Sequence, residues 1–231
     1  MARQLASKKN ARAEDSLPTG LIEELARLAE MGELERELRR FGFRAMAGTD
    51  EVGRGCLAGP VVAAAVILEP DCPLFGLDDS KALDPGWRAR ILPSIISRSR
   101  ALTIAVIEPA VIDRINILEA SKLAMLRSVT SLGVRPEVVI TDAVCLERLD
   151  VPQLAVLKGD RRVCAVAAAS IVAKVYRDSL MDSYHELYPD YDFASNKGYA
   201  TDAHRQALSE VGPSPIHRRT FGSVKSAGLF D

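Results

Sequence analysis

Apolar residues change their spacing along the chain, and each change marks an expected element. Leu21, Ile22, Leu25, Leu28, Leu34, Leu38 and Phe41 recur at roughly helical intervals. That spacing predicts an amphipathic helix, or a helix pair broken near Gly32, with Thr19 as its cap and Gly42 as its stop. From Arg44 the pattern becomes α/β. Residues 44–52 and 59–68 read as two short strands joined by GRGCLAG and expected to pair antiparallel. The stretch DPGWRARILPSIISRS predicts a helix with Asp84 as cap and Pro85 in its first turn, kinked or shortened by Pro93. ALTIAVIE reads as a strand. Residues 109–133 read as helical, with Ile112, Ile115, Ile117, Leu118, Leu123, Leu126 and Val129 facing inward. EVVITDAV predicts a strand carrying Asp142, and QLAVLKGD one ending in Asp160. A long helix follows and stops at Pro189, then a further helix capped by Thr201. No repeat interrupts this order. It predicts one mixed-sheet α/β domain with helices on both faces and a helical C-terminal part.

Composition narrows the class but not the chemistry. The chain has 231 residues, 48% hydrophobic and 26% charged, as in an ordinary soluble protein. No apolar run has membrane-spanning length, and residues 1–15 are polar and basic, so the expected location is cytoplasmic and residues 1–15 are expected to be a disordered tail. The four cysteines are far apart and form no zinc-spaced set, which leaves them as free thiols. A net charge of −1 gives no basic excess, so any nucleic-acid face has to be found locally.

The acids are where chemistry concentrates. Asp50 and Glu51 stand between two apolar strands, where a carboxylate is costly unless something pairs with it. Asp142 and Asp160 lie at the ends of two later strands. If the strands of Asp50 and Asp142 are neighbours, the two share one site, and clustered carboxylates favour a hard divalent cation. Taken singly, Asp142 reads equally as a turn acid and Asp160 as a helix N-cap. Adjacent strand residues point to opposite faces, so Asp50 and Glu51 cannot both aim inward from a regular strand. Either the strand bulges, or Glu51 acts through its carbonyl or through water. Gly53 and Gly55 flank Arg54 in a turn whose backbone can approach a sugar or phosphate closely.

The motifs DEVGRG, GLDDSK, ITDA, KGD, AAASIVAKVYRD, NKGYATDAH and HRRTFG occur in the order and context of bacterial ribonuclease HII, which the chain resembles over about residues 43–225. The resemblance implies an α/β ribonuclease H-like fold: a five-stranded mixed sheet flanked by helices, with a helical C-terminal extension and a short N-terminal helical extension. The implied bounds are 1–42 for the tail and N-terminal helices, 43–188 for the catalytic core and 189–231 for a substrate-binding extension. It implies an endoribonuclease that hydrolyses RNA in RNA–DNA hybrids and nicks on the 5′ side of a ribonucleotide embedded in duplex DNA. The ends are 3′-hydroxyl and 5′-phosphate, and the setting is ribonucleotide excision repair and DNA replication. Asp50, Glu51, Asp142 and Asp160 match the family's metal site, served by two Mn²⁺ or Mg²⁺ ions. Gly53, Arg54 and Gly55 match its sensor of the ribose 2′-hydroxyl, the group that separates RNA from DNA. Tyr199 matches the residue that stacks on the following deoxyribose, with a half-buried packing role as its other reading. Lys81, Ser170, Lys174, His217, Arg218 and Arg219 look like backbone-phosphate contacts, which position a duplex without reading it. For His217–Arg219 a solvated basic loop is the equal alternative. The implied partners are the hybrid and ribonucleotide-containing duplexes, with no membrane and a monomeric state; contact with a replication clamp stays open.

Two positions depart from the family pattern. Asp78-Asp79-Ser80-Lys81-Ala82 stands where Asn-Asp-Ser-Lys-Lys is usual, which removes one phosphate-directed lysine, and Cys56 stands where proline or a small residue is common. The rival enzyme is the sister ribonuclease HIII, whose turn differs from GRG. The rival of another class is a binding module that holds a hybrid without cleaving it.

Overall fold

The computed structural model describes residues 19–70, 74–78, 80 and 83–227. The expected tail, Cys72, Asp79, Lys81 and Ala82 lie outside the described residues. The predicted break at Gly32 separates α1 (Thr19–Met31) from α2 (Glu33–Arg40). The glycine stop is also present: Gly42 has φ 97°, and Gly42 N and Phe43 N donate to Arg39 O and Leu38 O at 3.0 and 3.1 Å. That pair of back-bonds is the Schellman closure, which relies on a residue free of a Cβ.

Five strands form one sheet in the order β3-β2-β1-β4-β5. β1 (Met46–Val52) pairs antiparallel with β2 (Val61–Leu68), and β2 antiparallel with β3 (Ser99–Ile107). β1 pairs parallel with β4 (Val138–Asp142), and β4 parallel with β5 (Gln153–Val156). The mixed sheet implied by the resemblance is therefore present. β2 shows why its sequence is continuously apolar. Val61, Ala63, Ala65 and Ile67 join the core beneath α4 (Pro109–Ile115) and α5 (Ile117–Thr130). Val62, Ala64 and Val66 join the core on the other face, against α6 (Cys164–Leu187). With both faces covered, alternation disappears, and each buried Val or Ile contributes about 2 kcal/mol relative to exposure. α6 lies close because its first turns are small: a Cβ at Gly48 of β1 would overlap the backbone of Ala165 and Val166.

Several expectations are corrected. α3 (Pro85–Ser97) begins as expected, with Asp84 accepting from Trp87 N at 2.9 Å, but it continues past Pro93 to Ser97. Pro93 is on the exposed face, where the carbonyl it cannot bond is open to water. The single segment expected over 109–133 is two helices. Asn116, at φ 67°, breaks it and accepts from Leu118 N and Glu119 N. The break resets the helical phase and leaves Leu118 43% exposed instead of inward. The strand expected to reach Asp160 ends at Val156, and Asp160 sits in a 3₁₀ turn, Gly159–Arg161, after Lys158 at φ 57°.

The start of α6 is capped from far away. Val163, its N-cap, offers no side-chain acceptor. Glu35 of α2 fills that role, accepting from Cys164 N at 3.1 Å and Ala165 N at 2.9 Å. Burial pushes the Glu35 carboxyl up, while the two amides pull it down. Beyond α6 come a 3₁₀ turn (Pro189–Tyr191), α7 (Phe193–Asn196), α8 (Asp202–Val211) and α9 (Gly222–Ala227). Thr201 caps α8 as expected, accepting from His204 N. This part buries its own apolar cluster, which takes in Leu57 and Ala58 from the connection after β1. Among the described residues no helix is long and apolar enough to cross a membrane.

Candidate active site

The β1–β4 register brings the acids together. Thr49 pairs with Thr141, so the next residues, Asp50 near the end of β1 and Asp142 at the end of β4, stand side by side on parallel neighbours. This adjacency was the open condition in the sequence. β1 stays in regular register with β2 through Val52, so there is no bulge at Glu51. Glu51 is instead drawn towards Arg54, Oε1 to guanidinium 3.1 Å. Asp142 Oδ1 accepts from Gly159 N at 2.9 Å, which ties β4 to the turn carrying the buried Asp160.

Burial pushes the Asp50 carboxyl up to about 7, the neighbouring Glu51 and Asp142 add to the rise, and a hydrogen bond from Ser170 opposes it. Burial likewise raises Glu51, against the pull of Arg54. Among the described residues no three carboxylate, imidazole or thiol side chains stand close enough together to hold a metal ion as they are. The donor chemistry does fit a hard divalent cation. The acids are oxygen donors, and a cation would offset the burial and the neighbouring negative charges that raise Asp50 and Glu51.

The predicted substrate residues fall into exposed and buried sets. Gly53 has φ 93°, and a Cβ there would overlap Arg177, so glycine is required twice over. Gly55 has ordinary φ and faces open space. Arg54 and Tyr199 are exposed. Lys174 Nζ bonds Asp178 at 2.6 Å and lies 5.9 Å from the Tyr199 ring centre. Burial raises the Tyr199 hydroxyl, and so does its hydrogen-bonded neighbour, the buried Cys56. Arg219 is exposed, with its amide held by Asp113 at 2.9 Å. Lys81 lies outside the described residues.

Three expected phosphate contacts are corrected because they are buried. Ser170 is 3% exposed and links Ser80 Oγ, at 2.8 Å, to Asp50. Arg218 is fully buried and donates to the carbonyls of Gly53, Arg54 and Gly59. His217 is buried against His204, Nε2 to Nε2 3.0 Å. Ser214 N donates to His217 Nδ1, and His204 Nδ1 lies 2.8 Å from Tyr199 O. That network assigns the His217 proton to Nε2 and the His204 proton to Nδ1, with both rings neutral. Burial lowers His217 to about 4, with His204 adding to the fall. Ser80, Arg177 and Cys56 were missed as working residues. Their one sequence signal is a polar or small residue within an otherwise recognised motif.

The family model for Ribonuclease HII matches residues 47–224. A ribonuclease HII from Levilactobacillus brevis is 52% identical over 180 residues, covering 78% of this chain and 70% of that one. One from Solibacter usitatus is 49% identical over 197 residues, covering 85% and 86%. Among solved structures, the PCNA:RNase HII complex from Archaeoglobus fulgidus superposes with a TM-score of 0.67 at 30% identity, over 79% of this chain and 96% of that one.

Proposed function

The chain belongs to the ribonuclease HII family, a group of metal-dependent endoribonucleases of the ribonuclease H type, and on that premise we propose how its residues do the work. Asp50, Glu51, Asp142 and Asp160 hold two divalent ions, Mn²⁺ or Mg²⁺. Bound there, the ions supply an acidified water and a counter-charge for the leaving 3′-oxygen. Ser170 orients Asp50 by hydrogen bonding, the Gly159 amide orients Asp142, and Arg54 restrains Glu51. The backbone of Gly53–Gly55 meets the ribose 2′-hydroxyl, and Tyr199 stacks on the next sugar. Lys174 and Arg219 face the phosphates. The cut falls on the 5′ side of the ribonucleotide. Catalysis belongs to residues 43–188, and residues 189–231 form a substrate-binding extension that adds Tyr199 and Arg219, working as a monomer in the cytoplasm during excision of misplaced ribonucleotides. A clamp contact like that of the Archaeoglobus fulgidus protein would bring it to replicating DNA.

The observation that carries this reading is the Thr49–Thr141 pairing, which sets the buried Asp50 beside the half-buried Asp142, whose charge adds to the rise of the Asp50 carboxyl. Asp142→Asn removes one charge at constant volume. Nicking of a duplex with one ribonucleotide should fall below detection while the melting temperature holds, with all-DNA and all-hybrid duplexes as controls. Full activity in Mn²⁺ and Mg²⁺ would rule out Asp142 as a ligand.

A further inference from the structure

Two arginines lie buried beneath the surface that carries Arg54 and Tyr199. Arg177 and Arg218 are both 0% exposed. A buried guanidinium is tolerated only when its donors are fully used, and both give theirs to backbone carbonyls. Arg218 donates from Nε to Gly59 O at 3.0 Å and from its two terminal nitrogens to Arg54 O at 2.9 Å and Gly53 O at 2.6 Å. It therefore ties the first two residues of the turn to Gly59, at the far end of the connection that follows. Arg177 donates to Pro60 O at 3.0 Å, Ala58 O at 3.2 Å and Lys197 O at 2.9 Å. It therefore joins the end of the same connection to the loop that carries Tyr199. The two segments also touch directly, Leu57 N donating to Gly198 O at 2.8 Å. Charge-assisted bonds of this kind are short and directional, so they fix distance as well as holding segments together. Burial and Arg177 bring Arg218 down to about 10, which leaves it charged at neutral pH.

We propose that Arg177 and Arg218 are specificity-determining positioning residues: they set the spacing between the Gly53–Gly55 turn and the Tyr199 ring, and hence the requirement for a ribose at one position and a deoxyribose at the next. This rests on the reading that the turn meets the ribonucleotide and Tyr199 the following sugar. An all-RNA strand in a hybrid presents a ribose at every step and has no junction to be matched. A change in spacing therefore weakens cleavage at the junction more than cleavage of the hybrid.

The test is Arg177→Lys and Arg218→Lys in the full chain, with kcat and KM measured on a duplex holding one ribonucleotide and on an all-RNA hybrid. Lysine keeps the charge and loses the fork. The ratio of kcat/KM, single ribonucleotide over hybrid, should fall about tenfold or more, because small misplacements at a reacting centre are costly. The salt dependence of KM should stay as in the wild type, since no phosphate contact is lost. Gly198→Ala is the second variant. A Cβ there would meet Ala58 O at 2.5 Å and push the two segments apart with both arginines intact, so the same fall is expected. An unchanged ratio in variants that fold, or a shallower salt dependence for Arg218→Lys, overturns the proposal. Tyr199→Ala is run in parallel. If it leaves the ratio unchanged, the reading of Tyr199 fails and this proposal falls with it. If it alone lowers the ratio, the reading stands and only the role of the arginines is lost.

Discussion

Tyr199 joins two environments. Its ring is exposed enough to meet a sugar, while its hydroxyl bonds the thiol of Cys56, a residue with no exposed surface. In the proposed role the ring supplies the stacking face and the hydroxyl only the tether. Tyr199→Ala should therefore lose far more activity on a single embedded ribonucleotide than Tyr199→Phe, read as kcat/KM on that duplex. Equal activity of both variants and the wild type would leave Tyr199 a packing role. Residue-scale reading of the sequence singled out the four acids, the turn and Tyr199 because each lies inside a recognisable motif. It misplaced Ser170, Arg218 and His217. A buried polar side chain has the same letter as a solvated one, and only the fold brings up its partners, which for Ser170 and Arg218 are far away in the chain.

At the scale of elements, the N-terminal helices are tied into the body. Glu35 satisfies two amides at the start of α6, the helix that carries Ser170, Lys174 and Arg177. On α1, Glu24 accepts from Gly76 N at 2.7 Å, and Arg27 donates to Leu77 O at 2.6 Å. The departing acid Asp78 stands 4.0 Å from the same Arg27. Glu35→Ala would leave two amide donors unpaired and should destabilise the protein by about 1–3 kcal/mol, seen as a lower urea midpoint with an unchanged slope. Glu35→Gln retains an acceptor and should lose less. No shift in the midpoint for Glu35→Ala would mean water replaces the cap. Helix starts at Asp84 and Thr201 were legible because their caps are local. The cap on α6 was not, since it comes from a glutamate that reads as one charge among many on an amphipathic helix.

Across the whole molecule, the C-terminal part is fastened by a pair of neutral histidines. An unfolded histidine titrates near 6.5, whereas His217 in the fold titrates at about 4. Between those values the unfolded chain holds the extra proton, so stability is full above 6.5 and falls as pH drops towards 4. The loss from this group should be about 2 kcal/mol between pH 7 and pH 5. Urea unfolding at both pH values should show it, and His217→Gln should flatten that part of the slope; identical slopes would mean the ring stays protonatable in the fold. The strands were legible from their β-branched runs, and the antiparallel β1–β2 pair from its short connection. The parallel β1–β4 neighbour relation was not, because nothing local in either strand names its partner.

That pairing also orders events during synthesis. β2, β3 and α3–α5 all emerge between Asp50 and Asp142, and β4 can dock on β1 only once they are made. A nascent chain that stops short of β4 carries half of its acids and no neighbour for them. Capture of a cation should therefore be among the last steps of maturation, and Mn²⁺ added during refolding should speed none of the early phases. The partly made enzyme would then be unable to cut nucleic acid near the ribosome that is making it.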